Sequence, residues 1–278
     1  MSWPQRIYVH GNCQAEALRG LLSEALPDSE INAIQAHQFT TAERLLHLER
    51  LASADVLVVM PVGPEVAGPE VSTAWMMAHC RPSARVVVYP SIFYRGDQPS
   101  TFAAPELETP LAPHVDALLI EAFLGGDPRP RMSEGFITAE RRASLKELRA
   151  RERSCGAIPV SRYIAANQEK GPLFHLFNHP NRKLLAWLAK RILRDLGLRG
   201  RVTAKGPDSL DFISMPLHFG DPVRVGGETV PAEEYWRPTQ ERLEALGGPA
   251  VRDIVDRNPE LAAFLDRRRA WPELRAAA

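Results

Sequence analysis

Three cysteines in 278 residues, Cys13, Cys80 and Cys155, are too few and too widely spaced for a disulfide framework or a zinc motif. The odd count leaves at least one thiol free and fits a reducing compartment, and no metal is expected. No apolar run approaches the ~20 residues of a membrane span. Charge of one sign is missing too. Thirty-four lysines and arginines balance thirty-four acids, so no global field draws the chain to nucleic acid or anionic lipid. No basic patch with interleaved aromatics replaces it, and no nucleic-acid partner is expected. The opening Met1-Ser-Trp-Pro-Gln-Arg6 lacks a basic n-region, an apolar core and a small-residue cleavage site. A cytoplasmic location is the expectation. Internal repeats and low-complexity tracts are absent as well.

What is there is an alternation of short β-branched runs with helical patterns over the first ninety residues, the rhythm of parallel strands joined by crossover helices. Strands are expected at residues 6–10, 31–35, 55–60 and 84–89, with helices at 15–25, 41–51 and 70–78 between them. Asp55-Val-Leu-Val-Val-Met60 is almost continuously apolar, as a strand covered on both faces should be. The fold class is therefore α/β, a parallel sheet flanked by helices in a three-layer sandwich, with a largely helical C-terminal half. Residues 90–113 are rich in proline, aromatics and turn formers and should form a long irregular segment. Helices are expected again at 114–124, 138–153, 180–196, 232–246 and 248–269. This reads as an α/β core over residues 1–220 with a helical insertion at 114–170, then a helical extension at 221–278.

Gly11-Asn12-Cys13-Gln14 falls where the first strand ends and a helix begins. Gly11 supplies backbone freedom for a sharp turn. A thiol at a helix N-terminus gains from the dipole and from amides that favour the thiolate or hold a developing oxyanion. The bland alternative is a small apolar residue packed under the turn. Asn12 and Gln14 weigh against it, because two amides beside a purely structural cysteine would need partners. Cys80 and Cys155 have no such context and read as structural. A nucleophilic thiol needs a base, and among eight histidines His179 stands out in Phe177-Asn178-His179-Pro180-Asn181. Pro180 is favourable at a first helical position, with Asn178 as the competing capping residue. His10, His175 and His218 are weaker rivals.

Val9-His-Gly-Asn-Cys-Gln14, Ser72-Thr73-Ala74, Tyr89-Pro-Ser-Ile-Phe-Tyr94 with Gly96 and Pro99, Leu173-Phe-His-Leu-Phe-Asn-His-Pro180 and Pro231-Ala-Glu-Glu-Tyr235 together resemble the WcbI family of polysaccharide-biosynthesis acetyltransferases. The resemblance spans roughly residues 6–245. It implies a fold related to the SGNH hydrolases, coenzyme A or acetyl-CoA as co-substrate, and acetyl transfer to a sugar of a capsular or surface polysaccharide. By motif position Cys13 would be the nucleophile and His179 its base. Gly11, Asn12, Gln14, Asn178, Tyr94 and Gly96 would serve the oxyanion or the substrate. Arg19, Arg95 and Arg142, with Arg141 and Lys146 nearby, are the candidates for the cofactor's phosphates. The chain departs from the family pattern at Met60-Pro61-Val62, where a polar residue is usual. It also lacks an aspartate just before His179, leaving Asn178, Asp208 and Asp211 as candidates to orient that ring. The same pair would serve a thioesterase or carbohydrate esterase. A non-catalytic coenzyme- or glycan-binding protein is the third reading.

Overall fold

The structure, a computed structural model, describes residues 5–110, 112–125 and 131–271. Residues 1–4 of the opening segment and the last seven of the expected C-terminal extension lie outside them. The chain divides into two compact units. One gathers Met1–Phe93, Lys146–Leu173 and Asn178–Leu210, the other Tyr94–Leu145, Phe174–Phe177 and Asp211–Ala278. The chain passes between the two at 93/94, 145/146, 173/174, 177/178 and 210/211.

The first unit holds the sheet. Strand β1 (Arg6–Gly11) leads into α1 (Cys13–Ala25), β2 (Glu30–Gln35), α2 (Arg44–Ser53), β3 (Val56–Val59), the single turn α3 (Pro64–Ala67), α4 (Thr73–His79) and β4 (Arg85–Val88). All pairings are parallel, in the order β2-β1-β3-β4. Ile7 to His10 and Val56 to Val59 are buried at every position, so the central strands are covered on both faces and carry no polar alternation. On one face Tyr8, Leu57 and Val59 pack beneath Leu51 of α2 and Met76 of α4. The chain runs from β1 outward to β2 and then returns to the other side of β1. Residues just after β1 therefore lie at the carboxyl edge, where the strand order reverses and where open α/β sheets bind ligands.

The helix Arg182–Asp195 packs against α1 and buries Leu184, Leu185, Leu188, Ile192 and Leu193. Its start differs from expectation. Asn181 is the N-cap, its side chain accepting from the Leu184 amide at 3.1 Å, so Pro180 lies before the helix rather than at its first position and Asn178 does not cap it.

In the second unit, residues 94–110 and 112–114 are mostly irregular, as expected, and Thr101–Phe102 pairs antiparallel with Val115–Asp116. That pairing delays the helix expected from residue 114 until Ala117, capped by Asp116. Phe264 meets Phe102 and Phe136 at 5.2 and 5.5 Å between ring centroids. The helix Ala232–Leu246 lies where the sequence placed it. The long helix expected over 248–269 is two, Gly248–Arg257 and Pro259–Arg269. Pro259 cannot continue the first, and Asn258 caps the second. Among the described residues no helix is long and apolar enough to cross a membrane, and no cluster of three His, Cys, Asp or Glu could hold a metal ion.

Candidate functional site

Cys13 is the first residue of α1, at the carboxyl edge of the sheet. Asn12 is the N-cap. Its Oδ1 accepts from the Gln14 amide at 3.0 Å and its carbonyl accepts from the Ala15 amide at 2.9 Å. Asn12 thus fixes the first turn, and its side-chain oxygen is spent on the helix.

Gly11 does not owe its place to an unusual backbone angle; its φ is not positive. It owes it to a close approach. A Cβ there would lie 2.2 Å from the Tyr89 hydroxyl and 3.2 Å from the Met60 Cβ. Tyr89 is wholly buried and donates to the His10 carbonyl at 3.0 Å. Burial, reinforced by the nearby Cys13, pushes its pKa above the ordinary phenol value and keeps that hydroxyl a donor.

Gln14 is fully buried. Its amide donates to the Ile92 carbonyl at 2.8 Å and to the Asn178 carbonyl at 2.9 Å, while its oxygen lies 3.4 Å from the Ile92 amide. Both donors of the side chain are consumed. Gln14 therefore does not reach a substrate; it binds the turn carrying Cys13 to the segment carrying His179. His179 is buried, in the two-residue strand His179–Pro180 against which α1 packs. Asn181 closes that segment, its amide donating to the Leu173 carbonyl at 2.8 Å. Among the described residues the Asn178 Oδ1 is buried with no hydrogen-bond partner, leaving an acceptor beside His179.

The electrostatics differ from the expected thiolate corner. Burial raises the Cys13 thiol above the ordinary value, offset only in part by the amides of Gln14 and of Cys13 itself. A thiol held this way must pass its proton to a base as it attacks.

The remaining candidates are placed elsewhere or engaged. Arg19 is paired with Glu16 at 2.5 Å on the exposed side of α1. Tyr94, Gly96, Arg95 and Arg142 belong to the second unit. There Tyr94 is buried against Phe174, and its ring occupies the space a Gly96 Cβ would need. Arg95 pairs with Glu260 and lies over Phe102, 4.4 Å from the ring centroid. Arg142 is exposed on the helix Glu134–Cys155. Asp208 takes the amides of Arg182 and Leu210, and Asp211 lies 3.3 Å from His175.

Sequence reasoning passed over a cationic concavity in the first unit. Arg149, Arg153 and Arg162, all exposed, line about 520 Å³ with Ser161 and Pro159. The one acid there, Glu152, is occupied by the amide and hydroxyl of Ser161 at 2.6 and 2.5 Å. The Ile158 amide bonds the Val88 carbonyl, which fixes this concavity to the carboxyl end of β4. Arginine at alternate positions 149, 151 and 153, across the end of the helix expected over 138–153, was the available signal.

Residues 6–201 match the family described as polysaccharide biosynthesis enzyme WcbI. No curated protein matches the chain. A solved structure does, with TM-score 0.78 and 21% identity, covering 95% of this chain and 99% of its own. That protein is described as WcbI, a polysaccharide biosynthesis enzyme, in a native form without a disulfide bond between coenzyme A and one of its cysteines. At this identity the likeness shows the fold, while the family match covers well over half of the sequence. The chain belongs to the WcbI family of polysaccharide biosynthesis enzymes.

Proposed function

We propose that the protein transfers an acyl group, acetyl in the first instance, from acyl-CoA to a hydroxyl of a surface or capsular carbohydrate, with Cys13 as nucleophile and His179 as base. The observation that carries this reading is the Gln14 clamp, which joins the Cys13 turn to the Asn178-His179 segment at the strand-order reversal of the sheet. The solved relative's description, which mentions coenzyme A and a cysteine, supports the donor.

In the first half-reaction His179 takes the Cys13 proton as sulfur attacks the thioester carbonyl. The bond from carbonyl carbon to coenzyme sulfur breaks, and the departing thiolate receives that proton. In the second, the sugar hydroxyl loses its proton to His179 and attacks the acyl-cysteine. Cys13 leaves as thiolate and regains the proton. The Cys13 amide, at the first turn, is the donor for the oxyanion in both steps. The Asn178 Oδ1 accepts from an N–H or O–H of a bound substrate. Arg149, Arg153 and Arg162 receive the coenzyme's phosphates, a role for which Arg19, already paired with Glu16, is poorly suited.

Release of free thiol from acetyl-CoA, measured with and without carbohydrate acceptors, tests the reading. Acceptor-dependent release with acetyl appearing on the sugar is expected. Equal release without acceptor would make the protein a thioesterase, and no release under either condition would leave it a binding protein.

A further inference from the structure

A second pocket lies at the carboxyl end of β2, outside the machinery assigned above. It holds about 150 Å³, the scale of one ring rather than of a nucleotide, and Tyr8, Gln35, Gln38, Phe39 and His47 are among its walls. Gln35 is the sheet partner of Gly11, and Glu16, also in the wall, is one helical turn beyond Cys13. The pocket therefore adjoins the proposed nucleophile on the side opposite to β4 and its arginines. Its mouth is apolar at Leu46, which is 46% exposed.

The polar groups of this pocket have a definite sense. The His47 Nε2 lies 3.0 Å from the Glu70 carbonyl, which can only accept, so that nitrogen carries the proton. His47 Nδ1 is then an acceptor, and the Tyr8 hydroxyl at 2.8 Å donates to it. The Tyr8 oxygen is left to accept from a ligand. Burial lowers the His47 pKa and favours this neutral arrangement. Glu16 gives Oε1 to Arg19, at 2.7 Å from Nε, which leaves Oε2 as a second acceptor. Gln35 and Gln38 each offer a donor and an acceptor on one amide, the pattern that matches two neighbouring hydroxyls. Phe39, edge-on to His47 at 5.4 Å, supplies an aromatic wall for C–H groups. The pocket has no surplus of positive charge for the coenzyme's phosphates: Arg19 pairs with Glu16, and Arg50 and Glu43 balance in the wall.

We infer that this pocket binds one neutral, hydroxyl-rich ring, a sugar unit of the acceptor, and presents it to Cys13. The inference rests on the acyl-transfer reading for its meaning and on the pocket's own groups for its chemistry. Donor and acceptor would then approach the thiol from opposite ends of one sheet edge.

Saturation-transfer NMR on the full chain tests it, with the methyl glycosides of glucose, galactose and mannose as probes and adenosine 3′,5′-bisphosphate as competitor. At least one glycoside should saturate, strongest on one ring face. Gln38→Ala and Glu16→Gln should each weaken its binding about threefold to tenfold, the loss of one hydrogen bond. Both positions are exposed, and melting temperature reports that the variants are folded. The bisphosphate should not displace the glycoside. Absence of saturation by all three glycosides, equal saturation in both variants, or displacement by the bisphosphate would each overturn the assignment. Coenzyme A binding on the same wild-type sample separates the two failures. If it binds and no glycoside does, the pocket assignment falls alone; if neither binds, the acyl-transfer reading falls with it.

Discussion

Gly11 and Tyr89 form a coupled pair whose energetics follow from the contact geometry. In Gly11→Ala the new methyl would sit 2.2 Å from the Tyr89 hydroxyl, far inside contact distance, and the phenol would have to leave the His10 carbonyl. Overpacking of this kind costs about 1–3 kcal/mol, and the displaced buried hydrogen bond adds about 1 kcal/mol. Tyr89→Phe alone removes one of two donors to the His10 carbonyl, which keeps the Met60 amide at 2.9 Å, and should cost about 1 kcal/mol. In the double variant the hydroxyl is gone, and the methyl's nearest neighbours become the ring carbon at 3.3 Å and the Met60 Cβ at 3.2 Å, which need move only slightly. The two changes should therefore be less costly together than their sum, by about 1–2 kcal/mol, where distant sites add to within about 0.5 kcal/mol. Urea unfolding of the four proteins measures this. Additivity within that margin would show that Gly11 is not held by Tyr89 and that the turn before Cys13 is shaped by something else.

Gln14→Leu keeps the volume but strands the Ile92 and Asn178 carbonyls, and should lower stability by about 2–4 kcal/mol, read as a melting shift of several degrees; a shift under about 1 °C would contradict the clamp. Alkylation of Cys13 by iodoacetamide should show an inflection above the ordinary thiol value, because burial dominates there; an inflection below it would restore the thiolate corner. In the second unit His114, with a pKa lowered by burial to about 4, gives stability that is complete above pH 6.5 and lost toward pH 4, about 3 kcal/mol. Asp116 opposes it. Burial raises its pKa to about 7, so the folded state holds a proton that the unfolded state releases, and stability declines by about 4 kcal/mol as pH rises from 4 to 7. Asp116→Asn should unmask the His114 slope, and melting should fall more steeply from pH 7 to pH 5 than in the wild type; an unchanged profile would refute the assignment. His179→Ala should lose at least about a hundredfold in turnover, the scale of one general base, while retaining coenzyme A affinity.

The strands and the position of Cys13 were legible in the sequence because period and composition are local properties. Ile7 to Val9 and Val56 to Met60 are apolar throughout, and the structure buries every one of them. What local pattern cannot carry is partnership between distant positions. Gly11 looked like a flexible turn because its constraint, Tyr89, lies 78 positions later, and Gln14 looked like a substrate group because its carbonyl partners sit at Ile92 and Asn178. Pro180 favoured a helix start by propensity, yet Asn181 caps the helix two residues after His179. The strand order, which puts Cys13 at the reversal point, is a tertiary fact with no local signal. The two pockets flanking that point follow from it, since their walls combine β2 with α2 on one side and two neighbouring helices on the other.

If Cys13 takes the acyl group, intact-mass measurement after exposure to acetyl-CoA without acceptor should detect it on the protein. A single acetyl adduct is expected that maps to Cys13, disappears on addition of the carbohydrate acceptor and is absent from Cys13→Ala. An adduct on Cys80 or Cys155 instead, or full transferase activity in Cys13→Ala with no adduct in the wild type, would contradict it.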